Sequence, residues 1–351
     1  MLLKELAEAS GPSGHESEIR QLLRRYIAEA LPEFNSGMVV DALGNLIVAP
    51  RNQSDPSATK PRVMLSAHMD EVGMMITYIE ASGWLRFRPL GGIDPRVLVS
   101  KPVLVGKDRI PGVIGAKPIH LQEKEERNRA LKVKDLFIDL GCNSKEEAEK
   151  LVKIGDAVVF ATSYTELGER RIRAKALDDR AGCAILLDLM VQCRDLSLPV
   201  YYTFTAQEEV GLRGAQVAAY RIEPQVALAI EVTTASDVPE SKEAEYCSSL
   251  GQGPVITVMD RSLVSPPRLW QRLVAIAEAN NIPYQLKQAG TGGTDAGAIS
   301  LTRAGVPAAV VSVPARYIHS PASLLDKVDM ENTYQLVLEF LRDMERRGLL
   351  Q

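Results

Sequence analysis

Residues 66–73 read SAHMDEVG and follow the apolar run Val63-Met64-Leu65. The stretch brings His68, Asp70 and Glu71 close together. On an extended strand His68 and Asp70 leave on the same side. The pair therefore suits a metal ligand with a carboxylate beside it, a catalytic pair, or a charged strand end. A metal needs more ligands than this stretch supplies. Histidine is scarce, with His15, His68, His120 and His319 the full set, so carboxylates must carry most of any metal site.

Further candidates follow other apolar runs. Gln207-Glu208-Glu209 comes after residues 200–206, Glu231 after 226–230, and His319 after 310–313 and a turn. Ala176-Leu177-Asp178-Asp179-Arg180 follows residues 171–175 and opens a helix, with Asp179 read as its N-cap. In open α/β sheets ligands bind beyond the carboxyl ends of the strands, so these residues fall on one rim. Carboxylates packed so closely repel one another and are driven to protonate, unless divalent cations relieve them. Histidines with several carboxylates suit zinc, or cobalt or manganese in its place. They are enough for a pair of metals about 3.5–4 Å apart sharing a carboxylate.

The elements that must position these residues fall into three segments. A helix is expected over 16–31, where Ile19, Leu22, Leu23, Tyr26 and Ile27 recur at helical spacing. Ser13 and Glu16 suggest a capping box in front of it. Residues 39–49 read as a hairpin broken at Gly44-Asn45, and 62–68 as an interior strand. From 72 to 160, short β runs at 74–79, 84–89, 97–105 and 157–160 alternate with Gly, Pro and Asp turns. They predict a small all-β domain, barrel or PDZ-like, inserted into the chain. Within it the charged stretch 120–135 reads as an exposed loop or an intersubunit arm. Beyond 171, strands at 199–206, 226–230, 255–259 and 308–313 alternate with helices at 180–193, 267–280 and 330–347, the last capped by Asp329. The fold class expected is α/β, a doubly wound mixed sheet. The expected division is catalytic segments 1–71 and 164–351 around a β insert at 72–163.

Composition bounds the function. The chain has 351 residues and a net charge of −4, with no basic footprint for nucleic acid or an anionic membrane. No apolar run approaches the ~18 residues of a membrane span. The N-terminus MLLKELAEAS lacks the apolar core of a signal peptide, so a cytoplasmic protein is expected. Cys142, Cys183, Cys193 and Cys247 show no CxxC spacing and read as free thiols, mostly buried.

Six motifs carry a resemblance. AHMDEVG at 67–73, KALDDRAG at 175–182, AQEEVGLRGA at 206–215, AIEVT at 229–233, GGTDAG at 292–297 and YIHSP at 317–321 resemble the co-catalytic metal motifs of the M42 aminopeptidases. This is the glutamyl or TET aminopeptidase family, some of whose members carry an endoglucanase label. GVIGAKPIHL at 112–121 adds a match in the insert, and the likeness runs the length of the chain. The resemblance implies two divalent ions per subunit bridged by Asp178, with His68 and Glu209 on one and Glu231 and His319 on the other. It implies that Glu208 is the general base and that Asp70 orients His68. The family usually carries Asp where this chain has Glu231, whose extra methylene must be absorbed by the backbone or the metal position. The resemblance also implies peptides with a free N-terminus as substrates, and a homo-oligomer, a dodecamer of dimers formed through the insert.

Other residues receive plainer readings. His15 and His120 are read as non-ligands, and Glu71 as capping the crossing into the insert. The loop 290–297 is read as a tight turn under the site, with Asp295 capping a helix or supporting a ligand. Arg316 hints at acidic substrate side chains without deciding the matter. Rival functions are an amidohydrolase or carboxypeptidase of the wider clan, a metal-independent endoglucanase, and an inactive scaffold.

Overall fold

A computed structural model of the protein describes residues 2–50, 60–242, 246–288 and 292–349. Among them, eleven strands build one large mixed sheet. At its centre Val200–Thr205, Val63–His68, Val226–Thr234 and Ala308–Arg316 lie side by side and parallel. Their residues are almost wholly buried, because helices cover both faces. Leu228 and Ile230 face the helices Leu177–Gln192 and Lys327–Arg347. Ala227 and Ala229 face Arg213–Ile222 and Asp295–Ser300. The hairpin Met38–Val40/Leu46–Val48 adds antiparallel strands at one edge. Ser323–Asp326, Arg171–Ala174 and Thr165–Leu167 extend the other.

Between the strand ending at His68 and the strand at Arg171, the chain forms a closed antiparallel barrel. Its strands are Gly73–Ile79, Leu85–Leu90, Leu136–Asp139, Ile110–Ala116, Pro102–Val105 and Ala157–Phe160, in that spatial order. The barrel has a core of its own, including Met74, Phe87, Ile138 and Phe160. It is not all-β, since helix Lys145–Leu151 packs Ala148 against that core, with Ser144 accepting a hydrogen bond from the Glu147 N–H at its start. Ile110–Ala116 escaped the sequence reading because Gly112 and Gly115 interrupt its pattern. A Cβ at Gly115 would lie 2.7 Å from the Phe137 ring. The stretch 120–135 carries the short helix Lys124–Arg127 and a 3-10 turn at Val133–Asp135.

Helix boundaries differ from expectation where side chains are spent elsewhere. The helix at 16–31 forms as Ser17–Ala30 without a side-chain cap. The last helix begins at Lys327, because Asp326 rather than Asp329 caps it through the Val328 N–H at 2.7 Å. Asp329 accepts instead from the N–H groups of Gly251 and Gly253, at 2.6 and 2.8 Å. Arg213–Ile222 is a helix that the sequence reading did not place, and Asp295 stands in the first turn of the short helix Asp295–Ser300 rather than before it as a cap. All four cysteines are free. Among the described residues, no helix is long and apolar enough to cross a membrane.

The crossing into the barrel is held by a buried ion cluster. Glu71 accepts from Lys175 Nζ at 2.8 and 2.9 Å and from the Gly11 N–H at 3.0 Å. Arg180 lies 3.4 Å from the same carboxylate and donates to the carbonyls of Met69 and Leu6. The cluster ties the N-terminal helix, the His68–Asp70 turn and the approach to Asp178 into one unit. Lys175→Met removes one partner and leaves Glu71 buried beside a single cation. This should cost about 3–5 kcal/mol of stability, read as a lowered urea midpoint at unchanged slope.

Candidate active site

Register places the site. Thr205 lies opposite His68, and Ala229 opposite Ser66, so two residues further on Glu231 stands beside His68. Glu231 therefore lies within its strand, which runs to Thr234. Residues 206–209 leave the sheet directly beyond His68. Asp178 comes from below the rim, at the start of Leu177–Gln192, where Asp178 and Asp179 depart from helical backbone angles and their peptide bond is cis.

Two histidines address the same carboxylate. His68 Nε2 lies 3.3 Å from Asp178 Oδ1, and His319 Nε2 lies 3.4 Å from Asp178 Oδ2. His68 is buried, and its Nδ1 faces Asp70, 3.1 Å from the carbonyl and 3.4 Å from Oδ1. His319 is 40% exposed at the mouth, and its Nδ1 lies 3.1 Å from the Gly92 carbonyl of the barrel. Tyr317 and His319 both have positive φ, 62° and 56°. That backbone strain is of the kind tolerated where the surroundings dictate the conformation.

Each histidine also has a glutamate close by. His68 Nε2 lies 3.7 Å from Glu231, and His319 Nε2 lies 3.6 Å from Glu209. The reason is strand order: the Glu231 strand is the immediate neighbour of the His68 strand, whereas the His319 loop arches over towards Glu209. The sets overlap at His68, which offers atoms within 4.8 Å to Asp178 and Glu209 and also to Asp179 and Glu231. Asp179 meanwhile caps the helix through the Gly182 N–H at 3.0 Å and accepts the His68 N–H at 3.1 Å.

Asp70 does more than face His68. Its two oxygens accept the N–H groups of Glu208 and Glu209, at 3.0 and 3.1 Å. Asp295 begins its helix, donates its N–H to Glu231 at 3.3 Å and accepts from the Thr205 hydroxyl at 2.5 Å. Gly290 and Thr291, the start of that loop, lie outside the described residues. His15 and His120 do not line the cleft, and Glu71 belongs to the ion cluster described above. Arg316 is committed to Asp237 through contacts of 2.8 and 2.6 Å.

Crowding dominates the electrostatics. Burial pushes Glu208 and Glu231 well above the usual carboxylate range; the His68 charge opposes this, and neighbouring acids reinforce it. Burial raises Glu209 to about 7 and Asp295 to about 6. Burial also disfavours the Asp178 anion, but His319 and His68 hold its pKa far below normal. Burial works against the charge on His319 too, yet Asp178 and Glu209 raise it to about 9. So many acids cannot all ionise side by side without added positive charge. Glu209 Oε1 is buried without a hydrogen-bond partner. An orphaned carboxylate oxygen beside imidazole nitrogens, within a mixed N/O donor set, fits a divalent metal.

Comparison with known proteins decides the family. The family model of M42 glutamyl aminopeptidases matches residues 44–336. The chain belongs to the M42 family. It is 39% identical over 338 residues to a putative aminopeptidase of Acetivibrio thermocellus, covering 96% of this chain and 97% of that one. It is 33% identical to the lysyl aminopeptidase of Pyrococcus furiosus, covering 98% and 97%. It superposes on the Pyrococcus horikoshii TET1 peptidase with a TM-score of 0.82 at 36% identity, covering 97% and 98%. The protein is thus a peptide hydrolase of the M42 aminopeptidase type, and the family implies divalent metal ions.

The M42 cleft also contains residues that the sequence reading missed. It measures about 610 Å³, and its walls include Arg261, Lys287 and Cys247. Nothing in their local sequence marks them, because each lies outside the quoted motifs and reaches the cleft only in the assembled fold. Gly182 is a sensitive point, since a Cβ there would stand 2.4 Å from Asp179 Oδ1. Gly182→Ala should displace the Asp178–Asp179 turn and lower aminopeptidase turnover about a hundredfold, with the circular dichroism of the fold retained.

Proposed function

We propose that this protein is a metal-dependent aminopeptidase that removes N-terminal residues from peptides at a binuclear divalent centre, with Glu208 as general base. The observation that carries the reading is the convergence of His68 and His319 on opposite oxygens of Asp178. Asp178 would be shared, with His68 and Glu231 completing one site and His319 and Glu209 the other. Zinc suits this donor set, with cobalt or manganese as substitutes. Bound divalent ions would supply Lewis-acid polarisation of the scissile carbonyl and lower the pKa of an attacking water towards ~7. Glu208, at the cleft wall, takes the proton from water and returns it to the leaving amine. Asp70 fixes the His68 ring and the backbone of the Glu208–Glu209 turn. The acidic rim favours the cationic N-terminus of a peptide over an internal bond.

The assembly follows the relatives. Residues 1–71 and 164–351 are assigned to the catalytic domain, and 72–163 to a dimerisation domain. The P. horikoshii TET1 peptidase assembles into a tetrahedron or a large octahedral shell. Tetrahedral point symmetry built from dimers yields a dodecamer, the state proposed here, in the cytoplasm.

Two experiments test the chemistry. Glu208→Gln should keep its metal and lose about 10²–10⁴-fold in kcat on an amino-acyl anilide; near-normal turnover removes Glu208 as the base. EDTA-stripped protein should be inactive and recover as zinc, cobalt or manganese is titrated back to two equivalents per subunit. Cellulase activity that survives chelation would instead favour the endoglucanase reading, which needs carboxylates but no metal.

The preferred N-terminal residue follows from the cleft wall. With Arg316 committed to Asp237, the cations facing substrate are Arg261 and Lys287, neither paired among the described residues. They favour an acidic side chain. In a panel of glutamyl, leucyl and lysyl anilides the glutamyl substrate should lead, and Arg261→Ala/Lys287→Ala should cut that lead about tenfold or more. A lysyl preference overturns the assignment.

A further inference from the structure

Ser13 and Glu16 have the spacing of a capping box, yet neither caps the helix that follows. Both side chains are buried, and both reach the catalytic turn. The Ser13 hydroxyl donates to Asp70 Oδ2 at 2.6 Å. Glu16 Oε1 accepts from the N–H of Gly14 at 2.7 Å and of Gln207 at 3.2 Å. With the Asp70 contacts, the consecutive N–H groups of Gln207, Glu208 and Glu209 all point at two buried carboxylates. Gln207 needs such restraint, because its φ is +58°, a conformation a non-glycine residue holds only when its surroundings impose it.

We propose that Ser13 is a positioning residue for the general base, acting through Asp70, with Glu16 as its counterpart at Gln207. Asp70 Oδ2 accepts both the Ser13 O–H and the Glu209 N–H, so the hydroxyl sets the carboxylate rotation that keeps Glu208 and Glu209 in register. Without that donor a fully buried carboxylate is left short of a partner and turns to find one. The Glu208 and Glu209 backbone then loses its anchor. The effect falls on the reacting geometry rather than on substrate binding. The inference rests on Glu208 as the base, but its structural half concerns backbone restraint and is measured separately.

The test compares Ser13→Ala and Ser13→Cys with wild type in the intact, metal-loaded enzyme. The cysteine variant keeps the volume and replaces the hydroxyl with a poor donor, so it carries the test if the alanine variant does not fold. Both should lose about 10–10²-fold in kcat with KM within about twofold. Metal content should be unchanged, and hydrogen exchange should accelerate at the amides of 207–209 but not in the neighbouring strands. In an Asp70→Asn background, Ser13→Ala should add less than about twofold, the non-additivity expected of residues acting in series. A kcat within twofold of wild type overturns the proposal. So does a kcat loss with unchanged exchange at 207–209, a loss shared equally with binding, or additivity with Asp70→Asn. An active Glu208→Gln enzyme would instead remove the base reading while leaving the exchange result standing.

Discussion

Asp178 is the group on which the site turns. It is a nearly buried carboxylate held ionised between two imidazoles, in the midst of acids that burial drives towards protonation. Nothing in an apolar sheet rim favours gathering Glu208, Glu209, Glu231, Asp179 and Asp295 in one place. The crowding costs folding free energy unless positive charge is present. The divalent ions that the family implies would relieve that conflict.

The surrounding structure reads as a means of holding that charge cluster still. Three of the side chains have a partner behind them: Asp70 behind His68, the Gly92 carbonyl behind His319, and the Asp295 N–H behind Glu231, while Asp179 holds the His68 backbone. Outer partners of this sort orient ligands and set their tautomers. The barrel takes part directly, since the loop after its strand Leu85–Leu90 carries Gly92, and a Cβ at Gly91 would stand 3.2 Å from Glu209. The inserted domain is therefore a wall of the site. Its attachment through the Glu71–Lys175–Arg180 cluster keeps that wall in register with the sheet.

Several residues serve two levels of structure at once, and these are where local sequence rules mislead. Ser13 and Glu16 have cap spacing, but a buried carboxylate and a strained backbone compete for their hydrogen bonds. Asp329 has cap chemistry, but the Gly251 and Gly253 amides claim it, and Asp326 caps in its place. Arg316 sits beside the His319 loop, but Asp237 neutralises it. For Ser13 and Asp329 a long-range partner displaces the cap, because a buried polar group left unpaired costs more than an unmade cap.

The sequence by itself determined the alternation of elements, the apolar strand interiors and the carboxylates and histidines that follow them. Strand and helix periodicity is local, and strand ends are where an α/β sheet must present its ligands. That His68, Asp178, Glu208, Glu209, Glu231 and His319 gather at one cleft, with Asp70 against His68, was legible on those grounds and through the family motifs. Only the tertiary structure decided which histidine faces which glutamate, that Glu231 lies inside its strand, that the insert closes into a barrel with a helix, and which cations line the cleft. Those outcomes depend on strand order and on contacts between residues scores of positions apart. Spacing along the chain carries no information about lateral neighbours in a sheet until the sheet is assembled.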